Sequence, residues 1–251
     1  MRFIDKVVIV TGSARGIGQA IALGFGKEGA SVVIADILEQ QGNDTARMVT
    51  EAGGQGLFVW VDVSNKVAVD GMLQRTLEVF GTIDVLVNNA GICPFHDFLS
   101  MPEDLWDQVL AVNLKGNFLC SQAVANVMVA RGIHGRIISI GSISSIVGGA
   151  QQTHYCASKA GINMLIASMA ISLGPYGITC NAVLPGPIAT DINREDLTPE
   201  KREYFRQRTP IKGIGDPEDL IGPVLFFASD AAAYCSGSRL VVDGGILVNF
   251  Q

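Results

Sequence analysis

Tyr155 and Lys159 stand four residues apart, and Ser142 precedes the tyrosine by thirteen. On a helix, a four-residue spacing places both side chains on one face, a turn apart. An ammonium beside a phenol stabilises the phenolate, so the tyrosine pKa, ordinarily about 10, is expected to fall. A phenolate tuned in this way can take a proton from an alcohol as general base. Two surface residues reach the same spacing by chance, so the pair has meaning only through what surrounds it.

The first such feature is Thr11-Gly12-Ser13-Ala14-Arg15-Gly16-Ile17-Gly18, which follows an apolar run and opens an amphipathic one. Glycines suit such a turn through unusual φ/ψ, close approach of backbone to a pyrophosphate, and tight helix-to-strand packing. The free amides and dipole of the following helix hold phosphate charge without lysines. The spacing is GxxxGxG, not GxGxxG, but a strand before and a helix after make it a dinucleotide turn. Asp36 ends the next apolar run, where a carboxylate accepts from adenosine ribose hydroxyls and repels a 2′-phosphate. Arg15 pulls the other way, since a guanidinium can hold that phosphate. The balance favours NAD, with NADP the alternative. Asp62-Val63 ends the third run and either meets the adenine edge or supplies an acid to a helix N-terminus.

Positioning these groups requires a sheet. Apolar, β-branched runs recur at 6–10, 31–35, 57–61, 85–87, 136–140, 179–184 and 240–242. They are continuously apolar, as strands buried on both faces are. Between the first two, Ile17, Ala20, Ile21, Gly24 and Phe25 form the stripe of an amphipathic helix. The segment 154–173, which carries Tyr155 and Lys159, also reads as a helix. Repeated β-then-α units predict an α/β, doubly wound parallel sheet with helices on both faces. No linker or repeat divides the chain, so residues 1–251 read as one domain. One stretch breaks the rhythm: 187–216 is polar and holds Pro187, Pro199 and Pro210. An insertion after a strand's carboxyl end is the place for a substrate lid.

Composition excludes several classes of function. The net charge is −6 and no Lys/Arg run exceeds two residues, which argues against nucleic acid and anionic membrane partners. The longest apolar stretches are strand-length and the N-terminus lacks an export signal, so the cytoplasm is the expected address. Cys93, Cys120, Cys156, Cys180 and Cys235 are odd in number and scattered, as reduced thiols are. The three histidines lie at no metal-ligand spacing, and no metal is expected.

Gly12, Gly16, Gly18, Asn88-Asn89-Ala90-Gly91, Asn113, Ser142, Tyr155, Lys159 and Pro185-Gly186, in this order, resemble the short-chain dehydrogenase/reductase family. The resemblance spans the whole chain. It implies a single Rossmann-type domain with a seven-stranded parallel sheet, a homotetramer, and NAD(P)-dependent oxidation of an alcohol. It implies that Tyr155 exchanges the hydroxyl proton while Lys159 holds the nicotinamide ribose and lowers the tyrosine pKa. Ser142 would hydrogen-bond the reacting oxygen, and Asn113 would position a water linking Lys159 to solvent. The turn residues Gly12, Ser13, Arg15, Gly16, Ile17 and Gly18, with Asp36, Asp62 and Val63, would hold the adenosine half. Asn89, Ala90 and Gly91 would flank it. Pro185, Gly186, Ile188 and Thr190 would seat the nicotinamide carboxamide.

Three segments surround that centre: 93–98, 144–154 and 188–196. They are dense in hydrogen-bonding side chains, which suits a polyhydroxylated ligand better than a fatty or steroid one. Phe95, Phe98, Ser142, Ser144, Gln152 and Asn193 are the expected substrate contacts. The runs NNAGICPFHDFL, SSIVGGAQQTHY and LVVDGGILVNFQ resemble the aldose 1-dehydrogenases of the family. That implies oxidation of the anomeric hydroxyl of a sugar, L-rhamnose first, to its lactone. The alternatives are another sugar, a polyol or a β-ketoacyl thioester. A different class, a non-catalytic dinucleotide-binding sensor, should have lost Ser142, Tyr155 or Lys159. The apolar end, 247–251, suggests burial at a subunit contact.

Overall fold

Every residue of β1 (Val7–Thr11) is buried, and its side chains divide between two hydrophobic layers. The computed structural model describes residues 1–190, 197–211 and 213–249. Among these, β1 is joined by β2 (Ser31–Asp36), β3 (Gln55–Trp60), β4 (Val85–Asn88), β5 (Arg136–Ile140), β6 (Thr179–Pro185) and β7 (Arg239–Val242). The sheet is parallel throughout, in the order β3-β2-β1-β4-β5-β6-β7. The expected doubly wound, seven-stranded sheet is present.

The helices are α1 (Gly16–Lys27), α2 (Glu39–Glu51), α3 (Lys66–Phe80), α4 (Glu103–Leu110), α5 (Gly116–Arg131), α6 (Thr153–Leu173), α7 (Pro199–Arg208) and α8 (Ile221–Ala228). Alternation along β1 sends Val8 and Val10 to one face, against Ile21 and Phe25 of α1, Val49 of α2 and Phe227 of α8. Ile9 faces the other way, toward Met72 of α3, Met128 of α5, and Ile162 and Ile166 of α6. Because β1 pairs with β2 on one side and β4 on the other, the chain reverses direction across the sheet there. The crevice beyond the carboxyl ends of β1 and β4 is where such folds bind ligands.

Two sequence expectations need correction. The third strand begins at Gln55 and not 57, because β3 is an edge strand whose residues are mostly half-exposed and carry little apolar signal. The longest apolar stretch is not strand-length: the helical segment Thr153–Tyr176 is long and apolar enough to cross a membrane. Its Ile162 and Ile166 are instead packed into the core against the sheet.

The polar insertion after β6 is pinned at its base. The Gly215 amide donates to the Pro187 carbonyl and the Ala189 amide to the Gly215 carbonyl, each at 2.9 Å. α7 lies within this insertion, capped by the Thr198 hydroxyl, which accepts from the Lys201 amide. Asn193 and residues 250–251 lie outside the described residues.

Candidate active site

The glycine turn sits at the carboxyl end of β1, with Gly12 and Gly16 at φ of 63° and 62°. A Cβ on Gly18 would lie 2.2 Å from the Gly12 carbonyl oxygen, and one on Gly12 2.7 Å from Ala90 Cα. These glycines allow β1, α1 and the end of β4 to meet backbone to backbone. α1 starts at Gly16 with neither a side-chain cap nor an acid in its first turn. Its N-terminal dipole is therefore left to an incoming anion.

The turn is braced from two sides. Asn89 Nδ2 donates to the carbonyls of Thr11 and Gly12 at 3.0 and 2.8 Å, while the Thr11 hydroxyl accepts the Asn89 and Ala90 amides. Asp36, at the end of β2, accepts the Ala14 amide at 2.9 Å and the Leu38 amide at 3.0 Å. Ser13 is fully buried and its hydroxyl donates to the Val10 carbonyl at 2.6 Å. Its side chain thus ties the turn together and does not line the crevice. Asp62 is bound to its own loop, accepting the Ser64 amide and hydroxyl. Val63 packs on the backbone of Gly116, where an added Cβ would come within 2.7 Å.

Asn113 lies in a π-helical turn, Ala111–Lys115, that joins α4 to α5. The Gly116 amide there reaches back to the Ala111 carbonyl. A local widening of this kind breaks the regular main-chain ladder and often marks a functional site. The Asn113 side chain is already committed. Its Oδ1 accepts the Ile92 amide at 2.8 Å, and Nδ2 donates to the Ile92 carbonyl at 3.0 Å and Ser158 Oγ at 3.1 Å. It clamps the segment after β4 onto α6.

Ser142, Tyr155 and Lys159 converge. Ser142 extends from β5 and accepts the Ser144 amide at 3.0 Å. Lys159 is 5% exposed, and its ammonium lies 5.5 Å from the centre of the Tyr155 ring. It donates to the Ile140 carbonyl at 2.8 Å. Burial pushes the lysine down to about 8, partly opposed by Cys93. Burial also pushes the Tyr155 phenol up, Cys93 adds to this, and a hydrogen bond with Ser142 opposes it. Desolvation is the largest influence on the phenol, while the Lys159 ammonium lies over the Tyr155 ring and on the Ile140 carbonyl, within reach of the charge that a phenolate would carry.

The surrounding loops meet these groups unequally. Gln152 Nε2 donates to Cys93 Sγ at 3.5 Å, beside Tyr155. Phe95 is partly buried, with Lys201 Nζ of α7 5.2 Å from its ring centre. Phe98 is 70% exposed in a short 3-10 turn and stands apart. On the far side, a Cβ at Gly16 would lie 3.8 Å from Thr190 Cγ2, so the glycine turn and the insertion face each other. The Gly186 amide donates to the Val242 carbonyl, and an added Cβ would lie 2.6 Å from Asp243 Cβ.

The profile described as "Enoyl-(Acyl carrier protein) reductase" matches residues 12–247. An L-rhamnose 1-dehydrogenase (NAD(P)(+)) of Azotobacter vinelandii is 49% identical, with all of both chains covered. The chain belongs to the short-chain dehydrogenase/reductase family. An L-rhamnose 1-dehydrogenase (NADP(+)) of Thermoplasma acidophilum is 41% identical over 99% of each chain. Among solved structures, a 7α-hydroxysteroid dehydrogenase complexed with NADH and 7-oxo glycochenodeoxycholic acid superposes with a TM-score of 0.94. It is 34% identical, over 97% of this chain and 95% of that one.

A family dinucleotide fits the observed cradle. Gly12 and Gly18 have no room for a Cβ, α1 offers uncapped amides, and the backbone at Gly91 opens toward Lys159 Nζ. Sequence reasoning missed Thr11, whose buried hydroxyl locks the β4 end to the turn, and Ser158, which joins Asn113 to the Tyr155 carbonyl at 2.7 Å. Thr11 had a signal: a lone hydroxyl closing an otherwise apolar strand. Ser158 had none, since its partner is 45 residues away.

Proposed function

We propose that this chain is an NAD(P)-dependent aldose 1-dehydrogenase that oxidises the anomeric hydroxyl of L-rhamnose to the lactone. The observation that carries the chemistry is the meeting of Ser142, Tyr155 and Lys159 at the mouth of the glycine cradle. The full-length relatives named L-rhamnose 1-dehydrogenase support the substrate.

Gly12, Arg15, Gly16, Ile17 and Gly18 would hold the pyrophosphate, and Asp36 the adenosine ribose, with Asp62, Val63, Asn89, Ala90 and Gly91 beside the adenosine half. Pro185, Gly186, Ile188, Thr190 and Lys159 would seat the nicotinamide end. Bound there, the nicotinamide supplies the hydride acceptor. Ser142 and Tyr155 orient the C1 hydroxyl, and the tyrosine takes its proton as general base. Lys159 stabilises the developing phenolate by its charge. With the Asn113 carboxamide engaged, a relay water beside Lys159 would be held by the main chain of the turn 111–115. Ser144, Gln152 and Asn193 would read sugar hydroxyls, and Phe95 the 6-methyl group. Asp36 favours NAD through its charge; Arg15 leaves NADP a route.

We place 1–251 in one domain, with 187–216 as the lid over the sugar. A cytoplasmic address is supported by five free cysteines. We propose a homotetramer; a subunit contact on this face is supported by a groove of about 470 Å³ lined by Leu110, Leu114, Phe118 and Leu165 together with Asp107 and Lys115, with Met164 and Ile171 exposed on α6. Light scattering after size exclusion measures the assembly. The activity test is a panel of aldoses and polyols with NAD and with NADP, followed at the nicotinamide absorbance. L-rhamnose should rank first; activity confined to thioesters or hydrophobic ketones would sink the reading.

A further inference from the structure

Gln151 and Asp5 are the non-glycine residues with positive φ among the described residues, and Gln151, at 59°, immediately precedes Gln152, the N-cap of α6. A left-handed backbone is unfavourable for a side chain with a Cβ and persists where surrounding contacts over-determine it. Here two contacts do so. The Gln151 carbonyl accepts the His96 amide at 3.0 Å, and its Nε2 donates to Asp97 Oδ1 at 2.9 Å. Both bonds cross from the α6 side to the 93–98 loop. That loop carries Cys93, which accepts from Gln152 beside Tyr155, and Phe95, whose ring faces Lys201 of α7. The loop is therefore held between the insertion and the catalytic helix, and Gln151 is its fastening on the catalytic side.

We propose that Gln151 is a positioning residue that sets the depth of the sugar pocket by clasping the 93–98 loop to the start of α6. Resting on the aldose reading above, it assigns to Gln151 a role in substrate fit without contact with the sugar. The polarity of the bond is specific: an amide donates and a carboxylate accepts. Reversing both partners should preserve it, while Gln151→Glu alone, which sets acceptor against acceptor, should break it.

Gln151→Glu sets two carboxylates against each other and should raise KM for L-rhamnose about tenfold, with KM for NAD within twofold of the parent. Gln151→Ala should raise it about fivefold. Combining Gln151→Glu with Asp97→Asn restores one donor and one acceptor and should bring KM back to within about twofold. A second readout needs no sugar. Iodoacetamide alkylation of Cys93, followed by peptide mass spectrometry and normalised to Cys235, should accelerate in both single variants and return to the parent rate in the pair. If the parent ignores L-rhamnose but labelling follows this pattern, the clasp stands and the substrate reading falls. If the parent oxidises L-rhamnose and neither KM nor labelling moves, the clasp is wrong. A loss shared equally by sugar and NAD, and not rescued by the pair, would also overturn it as general disruption.

Discussion

Asp36 accepts the Ala14 amide across 2.9 Å, so the acid expected at the adenosine ribose is also a brace of the glycine turn. The two duties can be separated. Asp36→Asn keeps one acceptor oxygen, enough for the Ala14 amide at the expense of the Leu38 amide, and removes the charge that repels a 2′-phosphate. The ratio of kcat/KM for NADP over NAD should rise about tenfold, the scale of one nearby charge at partial exposure. Asp36→Ala should shift the ratio similarly but raise KM for both cofactors, because the Ala14 and Leu38 amides lose their partner. An unchanged ratio in Asp36→Asn would put the ribose elsewhere.

Tyr155→Phe keeps the ring on α6 and removes the phenol oxygen that Ser142 influences. Turnover should fall by about 10²–10⁴-fold, the range for loss of general-base help. Fluorescence titration with NADH should give a Kd within twofold of the parent. A variant keeping more than about a tenth of the parent rate at saturating sugar would show that another group takes the proton.

Lys159 is held down at about 8 by burial, and that carries a stability consequence. Below pH 8 the folded protein keeps a charge in a desolvated site, whereas the unfolded chain keeps it in water. Between about pH 8 and the ordinary lysine value near 10.5, the unfolded chain binds more protons, so parent stability rises with pH through that window. Lys159→Met removes the buried charge but also the bond to the Ile140 carbonyl. The variant should be inactive yet more stable at pH 7, by about 1–3 kcal/mol or a few degrees in Tm. Thermal melts at pH 7, 8.5 and 10 should show this advantage shrinking; an advantage growing with pH would mean the lysine is not desolvated.

Much of the sheet was legible because strands buried on both faces have nowhere to place polar residues. Val8, Val10, Val32, Ile34, Val85, Val87 and Ile138 announce themselves as apolar runs. β3 blurred where one edge met solvent and Gln55 and Gly56 opened the strand. The chemical residues were legible by type and order, since Ser142, Tyr155 and Lys159 must be those side chains for the chemistry. Their electrostatic state was not. Where the Lys159 ammonium rests depends on the Ile140 carbonyl, 19 residues away, which carries no side-chain signal. The same holds for Asn113, whose partners at Ile92 are main-chain atoms. Loop 93–98 was legible as a segment bordering the site, but its fastening was not, because that rests on individual bonds to Gln151 and Gln152 without an apolar period to reveal them.

The two phenylalanines of that loop were indistinguishable in sequence and differ in the fold. Phe95 is partly buried beside Lys201, while Phe98 is 70% exposed. Of the two, Phe95, between the loop and α7, is the ring we propose to meet the sugar methyl. L-rhamnose and L-mannose differ at C6, where one has a methyl group and the other a hydroxymethyl. Burying one such carbon against an aromatic ring contributes about 0.8 kcal/mol, or about fourfold in kcat/KM. Phe95→Ala should lower kcat/KM for both sugars, since the loop loses a packing contact. The ratio of L-rhamnose to L-mannose should fall by about fourfold in addition. Phe98→Ala should leave both values within twofold of the parent. Equal losses for the two sugars in Phe95→Ala would show that the ring shapes the loop and does not read the methyl, and a loss confined to Phe98→Ala would move the methyl pocket outward to the 3-10 turn.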